Sequence, residues 1–313
     1  AIAVNKEKQI VAVAESGHKP SIYFYQHPEY ETINQLKGGT ERSYCSIAFS
    51  NDGSKLASVG SYPDYSLVIW NWKENSILLR VKAFSQEIYN VSFSKYSNSC
   101  LCTSGLAHIK FWKVSNTFTG LKLKGEVGKF GSVELSDIRD MTMLSDGNTI
   151  SGSENGYLLL WEGGVIKSII SGMNGEKCHN GPVTIVRILG NAVVMTASSS
   201  ESKIKFWSKK KFLDVEQGEN QKTELACLHL IDLKTDEGII SIDEGFKNNG
   251  VFLIMTSKGR LLKIKIEKTQ KSTWEDIDLV INLKNNKCEI LEIESFPVGK
   301  LRTVDVYKDK IFS

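Results

Sequence analysis

The sequence lacks the features that define several large classes of protein. No apolar run approaches the ~20 residues that a transmembrane helix requires. No charged segment followed by an apolar one opens the chain, so a secretory signal is not visible. The 39 basic residues nearly balance the 36 acidic ones, which leaves a net charge of +3. Proteins dedicated to nucleic acids or membrane surfaces usually concentrate basic residues, and we expect neither partner here.

The sequence also lacks signatures of metal, nucleotide and catalytic sites. Its six cysteines form no C-x-x-C pair, and Cys100 and Cys102 have no histidine at zinc spacing, so free thiols in a reducing compartment are expected. The glycine-rich segment GEVGKFGS cannot be a phosphate loop because Leu123 stands where glycine is needed. His179, within CHNGPV, is typical of a hydrogen-bonded structural histidine rather than a catalytic base. We therefore expect no catalytic residue, metal or cofactor.

Short apolar segments that end in an aromatic residue recur along the chain. Trp70 closes YSLVIW, and the equivalent tryptophans follow after intervals of 42, 49 and 46 residues, at Trp112, Trp161 and Trp207. Tyr25 closes PSIYFY 45 residues before Trp70. A period of about 45 residues is typical of propeller blades, each a four-stranded antiparallel sheet.

Each repeat has the same internal order of strands and turns. In the second repeat, YCSIAFS alternates as a strand does, NDG at residues 51–53 supplies a hairpin turn, and KLASVG, SLVIW and SILLRVK complete four strands. The sequence thus predicts an all-β fold, a WD40-like β-propeller of about seven blades with the last one incomplete. The predicted blades are 1–40, 41–84, 85–125, 132–172, 180–218, 224–284 and a partial seventh at 298–313.

The aromatic residues are predicted to wedge neighbouring blades apart, and almost no helix is expected. KFLDV, for example, is interpreted as the outer strand of the fifth blade. The chain opens on Ala1 rather than Met and closes in mid-pattern at Ser313, so we expect a fragment of a longer protein whose remaining strands lie outside it.

The repeats resemble WD40 repeats, with substitutions in both of the motifs that name the family. The Trp-Asp dipeptide becomes Trp-Asn at 70–71, Trp-Lys at 112–113, Trp-Glu at 161–162 and Trp-Ser at 207–208. Only CHNGPV, at 178–183, is similar to the Gly-His segment. The resemblance therefore does not predict the hydrogen-bond network of regular blades.

Longer stretches resemble the first propeller of the cilia- and flagella-associated protein 44 family of axonemal WD40-repeat proteins. They include VGSYPDYSLVIWNWKE, TFTGLKLKGEVGKFG and SGSENGYLLLWEGGVIK, which match in loops as well as strands. The resemblance implies a structural part of the motile axoneme, in the tether that holds the two-headed inner-arm dynein to the doublet microtubule. The implied partners are the sister cilia- and flagella-associated protein 43, inner-arm dynein heavy chains and tubulin.

Several loop residues are candidates for contact with partners. Tyr62 and Tyr65 lie in the loop SYPDY, where exposed tyrosines favour protein contact, although either could pack on a neighbouring blade. Trp72 is expected near a blade rim, exposed or partly buried. The remaining candidates are Lys129 and Phe130 in the glycine-rich connector and the basic run Lys209, Lys210 and Lys211.

Two other functions stay open on the residues alone. A propeller enzyme would need carboxylates or histidines converging at a channel mouth, which no motif signals. A general WD40 adaptor, such as a peptide-reading receptor in another complex, would need arginines and aromatics around one mouth, and the sequence has only six arginines.

Overall fold

A computed structural model describes residues 1–118, 120–190, 192–216, 221–244, 251–266, 288–295, 305–307 and 310–312. Side chains are described up to Lys265, apart from that of Gln221. Within these residues the chain folds almost entirely into antiparallel four-stranded sheets.

The first three sheets each use four consecutive strands. The first contains β1 (Ile2–Asn5), β2 (Ile10–Ala14), β3 (Ile22–Gln26) and β4 (Glu31–Leu36). The second contains β5 (Tyr44–Phe49), β6 (Leu56–Gly60), β7 (Ser66–Asn71) and β8 (Ser76–Lys82). The third contains β9 (Ile88–Phe93), β10 (Cys100–Gly105), β11 (His108–Thr117) and β12 (Gly120–Val127).

The fourth and fifth sheets depart from strictly consecutive order, and the sixth returns to it. The fourth contains β13 (Met141–Met143), β14 (Thr149–Gly152), β15 (Leu158–Glu162), β16 (Val165–Ser171) and, parallel to β16, β20 (Gln221–Glu224). The fifth contains β17 (Val183–Leu189), β18 (Val193–Ser198), β19 (Lys203–Ser208) and β21 (His229–Asp232), and a helix, α1 (Lys209–Leu213), follows β19. The sixth contains β22 (Ile239–Glu244), β23 (Val251–Thr256), β24 (Arg260–Ile266) and β25 (Cys288–Ser295). A separate pair joins β26 (Asp305–Tyr307) to β27 (Lys310–Phe312).

Turn residues set the ends of these strands, as the hairpin between β5 and β6 shows. Gly53 adopts a φ of +60°, which a residue with a Cβ rarely tolerates. The Asp52 carboxylate accepts hydrogen bonds from the Ser50 hydroxyl at 2.6 Å and the Ser54 amide at 2.9 Å. The NDG segment therefore forms the predicted turn and fixes the register in which Phe49 faces Leu56.

The chain divides into two compact units whose boundary runs through the fourth sheet. The first comprises residues 1–139, 143–148 and 162–165, and the second the remainder. In the first, one apolar cluster joins sheets one and two around Phe24, Val68 and Trp70, and another joins sheets two and three around Ile69 and Trp112. In the second, Phe206, Phe252 and Ile254 belong to a cluster between sheets five and six.

The all-β fold and its repeating four-stranded sheets confirm the prediction. Every described side chain of β7 except that of Asn71 is buried, as expected for a strand covered on both faces. In the described part of the chain, no helix has the length and apolar character needed to cross a bilayer.

Three details of the predicted fifth and sixth blades were wrong. The first three residues of the predicted strand KFLDV, 211–213, belong to the helix α1. The fourth strand of that sheet is β21, beyond the predicted boundary at residue 218. Between α1 and β21, the chain forms β20, which pairs with β16 of the fourth sheet. The sixth sheet closes with β25, past residue 284. Residues 245–250 and 267–284 of the predicted sixth blade, and residues 298–304, 308–309 and 313 of the predicted seventh, lie outside the described residues.

Candidate interaction surface

Four tryptophans anchor the third strands of sheets two to five in the same way. Each is at most 5% exposed, and its indole N–H donates to a hydroxyl on the second strand of the same sheet. The donor–acceptor distances are 2.8 to 2.9 Å for the pairs Trp70–Ser58, Trp112–Thr103, Trp161–Ser151 and Trp207–Thr196. Because a buried indole N–H is costly when unpaired, the hydroxyl is what allows the tryptophan to be buried completely.

In the fifth sheet this pair extends into a chain of four side chains. His179 is fully buried, with Nε2 2.7 Å from the Thr196 hydroxyl and Nδ1 2.5 Å from a Glu201 carboxylate oxygen. Trp207 donates to the same Thr196 oxygen at 2.8 Å. The geometry is satisfied when Thr196 donates to Nε2 and a neutral imidazole donates from Nδ1 to Glu201.

Burial lowers the pKa of His179, because the charged form loses its hydration, although the Glu201 carboxylate opposes the shift. Protonation would also put a hydrogen on Nε2, which could then no longer accept the hydrogen bond from Thr196. Burial alone would raise the pKa of Glu201, but the hydrogen bond from His179 holds that pKa below its ordinary value. The neutral histidine therefore completes the network.

The free energy of unfolding is expected to fall as pH is lowered from about 7 toward 5. His179 has a lower pKa folded than unfolded, so the unfolded chain takes up a proton below its ordinary pKa of about 6.5 while the folded chain resists it. The stability is thus present above that pH and lost below it, by up to ~1.4 kcal/mol per pH unit. Denaturant titrations at pH 7, 6 and 5 would measure the slope.

Two histidine variants separate this effect from general acid sensitivity. His179→Gln should flatten the slope between pH 7 and 5, while His18→Gln, at an exposed position, should leave it unchanged. An unchanged slope in the His179 variant would contradict the assignment of a neutral imidazole.

These networks contain residues that the sequence interpretation missed. The fifth sheet has a hydrogen-bond network that the substituted motifs did not predict, with Glu201 as its acidic member. The missed signal was a serine or threonine 9 to 12 positions before each tryptophan, on the preceding strand. These hydroxyl residues are Ser58, Thr103, Ser151 and Thr196.

Tyr25 occupies the corresponding place in the first sheet without such a bond. It pairs in register with Val11, as Trp70 pairs with Leu56, but the residue at the hydroxyl position is Val13 and Tyr25 is only half-buried. The fully buried aromatic of β3 is its neighbour Phe24, which packs toward the second sheet.

Tyr62 and Tyr65 lie in the loop between β6 and β7, and Tyr62 is 62% exposed. Their ring centroids are 6.3 Å apart, and the Arg42 guanidinium lies 5.7 Å from the Tyr62 centroid. The Ser61 hydroxyl is 2.6 Å from that of Ser43, which ties this loop to the segment carrying Arg42. Tyr65 is half-buried and packs against the apolar cluster between sheets two and three, which was the alternative left open for these tyrosines. The exposed Arg42 and Tyr62, with Tyr65 beside them, form the candidate interaction surface, an aromatic and cationic patch held on two linked loops.

Three other predicted contact residues are buried, and those predictions were wrong. Trp72 is 4% exposed, donates from its indole nitrogen to the Gly53 carbonyl at 3.1 Å and stacks on Phe24 at 5.0 Å. Phe130 is 6% exposed. Lys209 is 5% exposed, although the next two residues of α1, Lys210 and Lys211, are exposed lysines. The remaining three lysines among the predicted contact residues, Lys129, Lys210 and Lys211, are exposed.

Acidic side chains that could have served catalysis are engaged in structural bonds. Asp137 accepts the Tyr89 hydroxyl at 3.0 Å and the Ala107 amide at 2.9 Å, and Asp140 accepts the Val186 amide at 2.9 Å and the Arg187 guanidinium. Among the residues with described side chains, no group of three or more His, Cys, Asp or Glu could hold a metal ion. Burial raises the pKa of the Cys178 thiol to about 12, so this cysteine is a poor nucleophile.

The sequence profile of the Echinoderm microtubule-associated protein first β-propeller matches residues 1–264. Cilia- and flagella-associated protein 44 of Chlamydomonas reinhardtii is 46% identical over 190 residues, which is 58% of this chain and 11% of that protein. Its namesake in Mus musculus is 44% identical over 207 residues, which is 66% of this chain and 11% of that protein. Cilia- and flagella-associated protein 43 of Xenopus laevis is 34% identical over 147 residues, or 46% of this chain and 9% of that protein. The chain thus spans only a small part of each relative.

Solved structures agree on the fold. The Cps50 (Swd1) β-propeller domain of Myceliophteria thermophila superimposes with a TM-score of 0.71 over 97% of this chain and 88% of that one, at 12% identity. Identity this low supports the fold and nothing more specific. The chain belongs to the family of the Echinoderm microtubule-associated protein first β-propeller, and its homologues include cilia- and flagella-associated protein 44 of two species.

Proposed function

We propose that this chain is a non-catalytic scaffold of the motile ciliary axoneme. It would belong to the tether that links the motor domains of the two-headed inner-arm dynein to the doublet microtubule, and so be needed for ciliary motility. The observation that carries the proposal is its 46% identity to a cilia- and flagella-associated protein 44 over 190 residues. The proposed partners are cilia- and flagella-associated protein 43, inner-arm dynein heavy chains and tubulin, with no role for nucleic acid or membrane.

The structure suits a scaffold because rigid sheets hold its exposed loops in place. Trp70, buried and bonded to Ser58, fixes β7 directly after the loop that presents Tyr62 and Tyr65. Tyrosine and arginine are among the residues enriched at the energetic centres of protein interfaces, since each combines a large contact area with a polar group. The pairing of Tyr62 with Arg42 therefore gives this scaffold a candidate anchor for a partner.

Isolated axonemes test the proposed location and role. The full-length protein, tagged at its locus, should remain with doublet microtubules after detergent removes the ciliary membrane, and it should co-purify with protein 43 and inner-arm dynein heavy chains. Its deletion should detach the inner-arm dynein heads in electron tomograms and impair beating. A tagged protein found in cytosol or nucleus and never in cilia would contradict the proposal and favour the general adaptor.

A matched pair of variants tests the candidate anchor in the same cells. Arg42→Ala combined with Tyr62→Ala should reduce co-purification of a partner without changing the amount of protein. Glu74→Ala alters an exposed residue in the turn at the opposite end of β7 and should have no effect. Equal behaviour of the two variants would exclude this surface as the anchor while leaving the axonemal role standing.

A further inference from the structure

A groove of ≈ 530 Å³ lies within the first unit, beside the candidate interaction surface. Its walls come from the loops that follow β2, β4 and β6 and from the end of β8. Four basic and two acidic side chains line it: Lys19, Lys37, Arg80, Lys82, Glu41 and Asp64. We call it the basic groove.

The cations of the basic groove have no acidic partner among the residues whose side chains are described. All four are exposed, and none forms an ion pair there. The Arg80 guanidinium donates to the Gly38 carbonyl, which orients it without neutralising it. Cations gathered around a concave surface raise the local concentration of anions.

One of the two acidic residues of the groove, Asp64, is held by hydrogen bonds to the protein. One Asp64 carboxylate oxygen accepts the Thr40 hydroxyl at 2.8 Å, and the other accepts the Ser66 hydroxyl at 2.6 Å. Thr40 and Ser66 are both buried, so these bonds hold the carboxylate against the protein. The hydroxyls of Thr40 and Ser66 thus fix the position of the Asp64 carboxylate. The four basic side chains are exposed and can contact a ligand.

The spacing of the cations indicates the form of that ligand. Arg80 and Lys82 are two residues apart on β8, and both are exposed, so they project from the same face of the strand about 7 Å apart. An extended peptide has the same repeat, so acidic residues at alternate positions would face the two cations in register. Lys19 and Lys37 add positive charge from the loops.

We propose that the basic groove binds an extended acidic peptide segment of a partner protein, with carboxylates at alternate positions opposite Arg80 and Lys82. Separated single charges suit carboxylates, whereas Glu41 and Asp64 in the same lining oppose the denser charge of phosphate or nucleic acid. The inference goes beyond the axonemal role and does not depend on it, because binding is a property of the purified chain.

The test measures binding of a fluorescent peptide that alternates glutamate and glycine to the purified 313-residue chain by polarisation. Lys37→Glu with Lys82→Glu should weaken binding about tenfold, equivalent to ~1.4 kcal/mol, since two rim charges are reversed. Lys177→Glu with Lys222→Glu makes the same change of charge at exposed residues of the second unit and should alter affinity less than about twofold. Unfolding curves of both variants confirm that they fold.

The other outcomes of this experiment also support or contradict the proposed binding of an acidic peptide. Binding that weakens as NaCl is raised, and no binding of the matching glutamine–glycine peptide, would support it. Equal losses in the two variants, or no binding by the unmodified chain at low salt, would overturn it. Stronger competition by inorganic phosphate or a single-stranded oligonucleotide than by unlabelled peptide would also overturn it, in favour of a phosphate ligand.

Discussion

Replacement of Trp70 by alanine is expected to lower the free energy of unfolding by about 3–5 kcal/mol. Trp70 is 1% exposed and lies in the apolar cluster between the first two sheets, with Val68 and Leu56. The change would leave a cavity there and deprive the buried Ser58 hydroxyl of the indole N–H. Urea titration followed by circular dichroism would measure the loss. Tryptophan fluorescence is less suitable, because the substitution itself removes one of the six tryptophans that report unfolding.

The control for Trp70→Ala is an aromatic residue that makes no such contacts. Phe118 lies in the hairpin between β11 and β12 and is fully exposed, so Phe118→Ala should shift stability by no more than about 0.5 kcal/mol. Trp70→Phe should fall between them, since it keeps much of the apolar volume but leaves Ser58 without its donor. A Trp70→Ala variant as stable as Phe118→Ala would contradict the wedging role of the tryptophan.

The regular part of the fold could be predicted because local signals there agree. The sequence before Trp70 contains an alternating strand, an NDG turn and an apolar strand, which all predict the same order of hairpins. The same order recurs about every 45 residues. The same order of strands did not predict the segment after Trp207. KFLDV has the apolar content of a strand, but α1 forms in its place and the strand that pairs with β19 comes later in the chain. Which segment pairs with β19 depends on how well each candidate packs against the rest of the sheet. The local sequence pattern does not carry that information.

Residue exposure within loops was the least predictable feature. Trp72 and Tyr62 both belong to connections next to β7, yet Trp72 stacks on Phe24 from another sheet while Tyr62 remains in solvent. Residues from distant parts of the sequence decide the difference. The basic groove was missed for the same reason, since Lys19, Lys37 and Lys82 come together only through folding.

The hydrogen-bond network of the fifth sheet forms although serine replaces the aspartate of the family's Trp-Asp dipeptide. The acidic member is Glu201, and the residue after Trp207 is Ser208 rather than aspartate. What the buried His179 requires is an acceptor at Nδ1 and a donor at Nε2, and Glu201 and Thr196 supply them. The role is thus defined by position and bonding capacity more than by a dipeptide.

Thr196→Val is expected to destabilise the protein by about 2–6 kcal/mol, because the isosteric change leaves two buried groups unpaired at about 1–3 kcal/mol each. Those groups are the Trp207 indole N–H and Nε2 of His179. Thr196→Ser keeps the hydroxyl and removes one methyl group, which should cost only about 1 kcal/mol. Combined with Trp207→Phe, the valine change should cost less than it does alone, since one of its unpaired groups is already gone. Equal stabilities of the valine and serine variants in urea titrations would show that packing, and not the hydroxyl, holds this network in place.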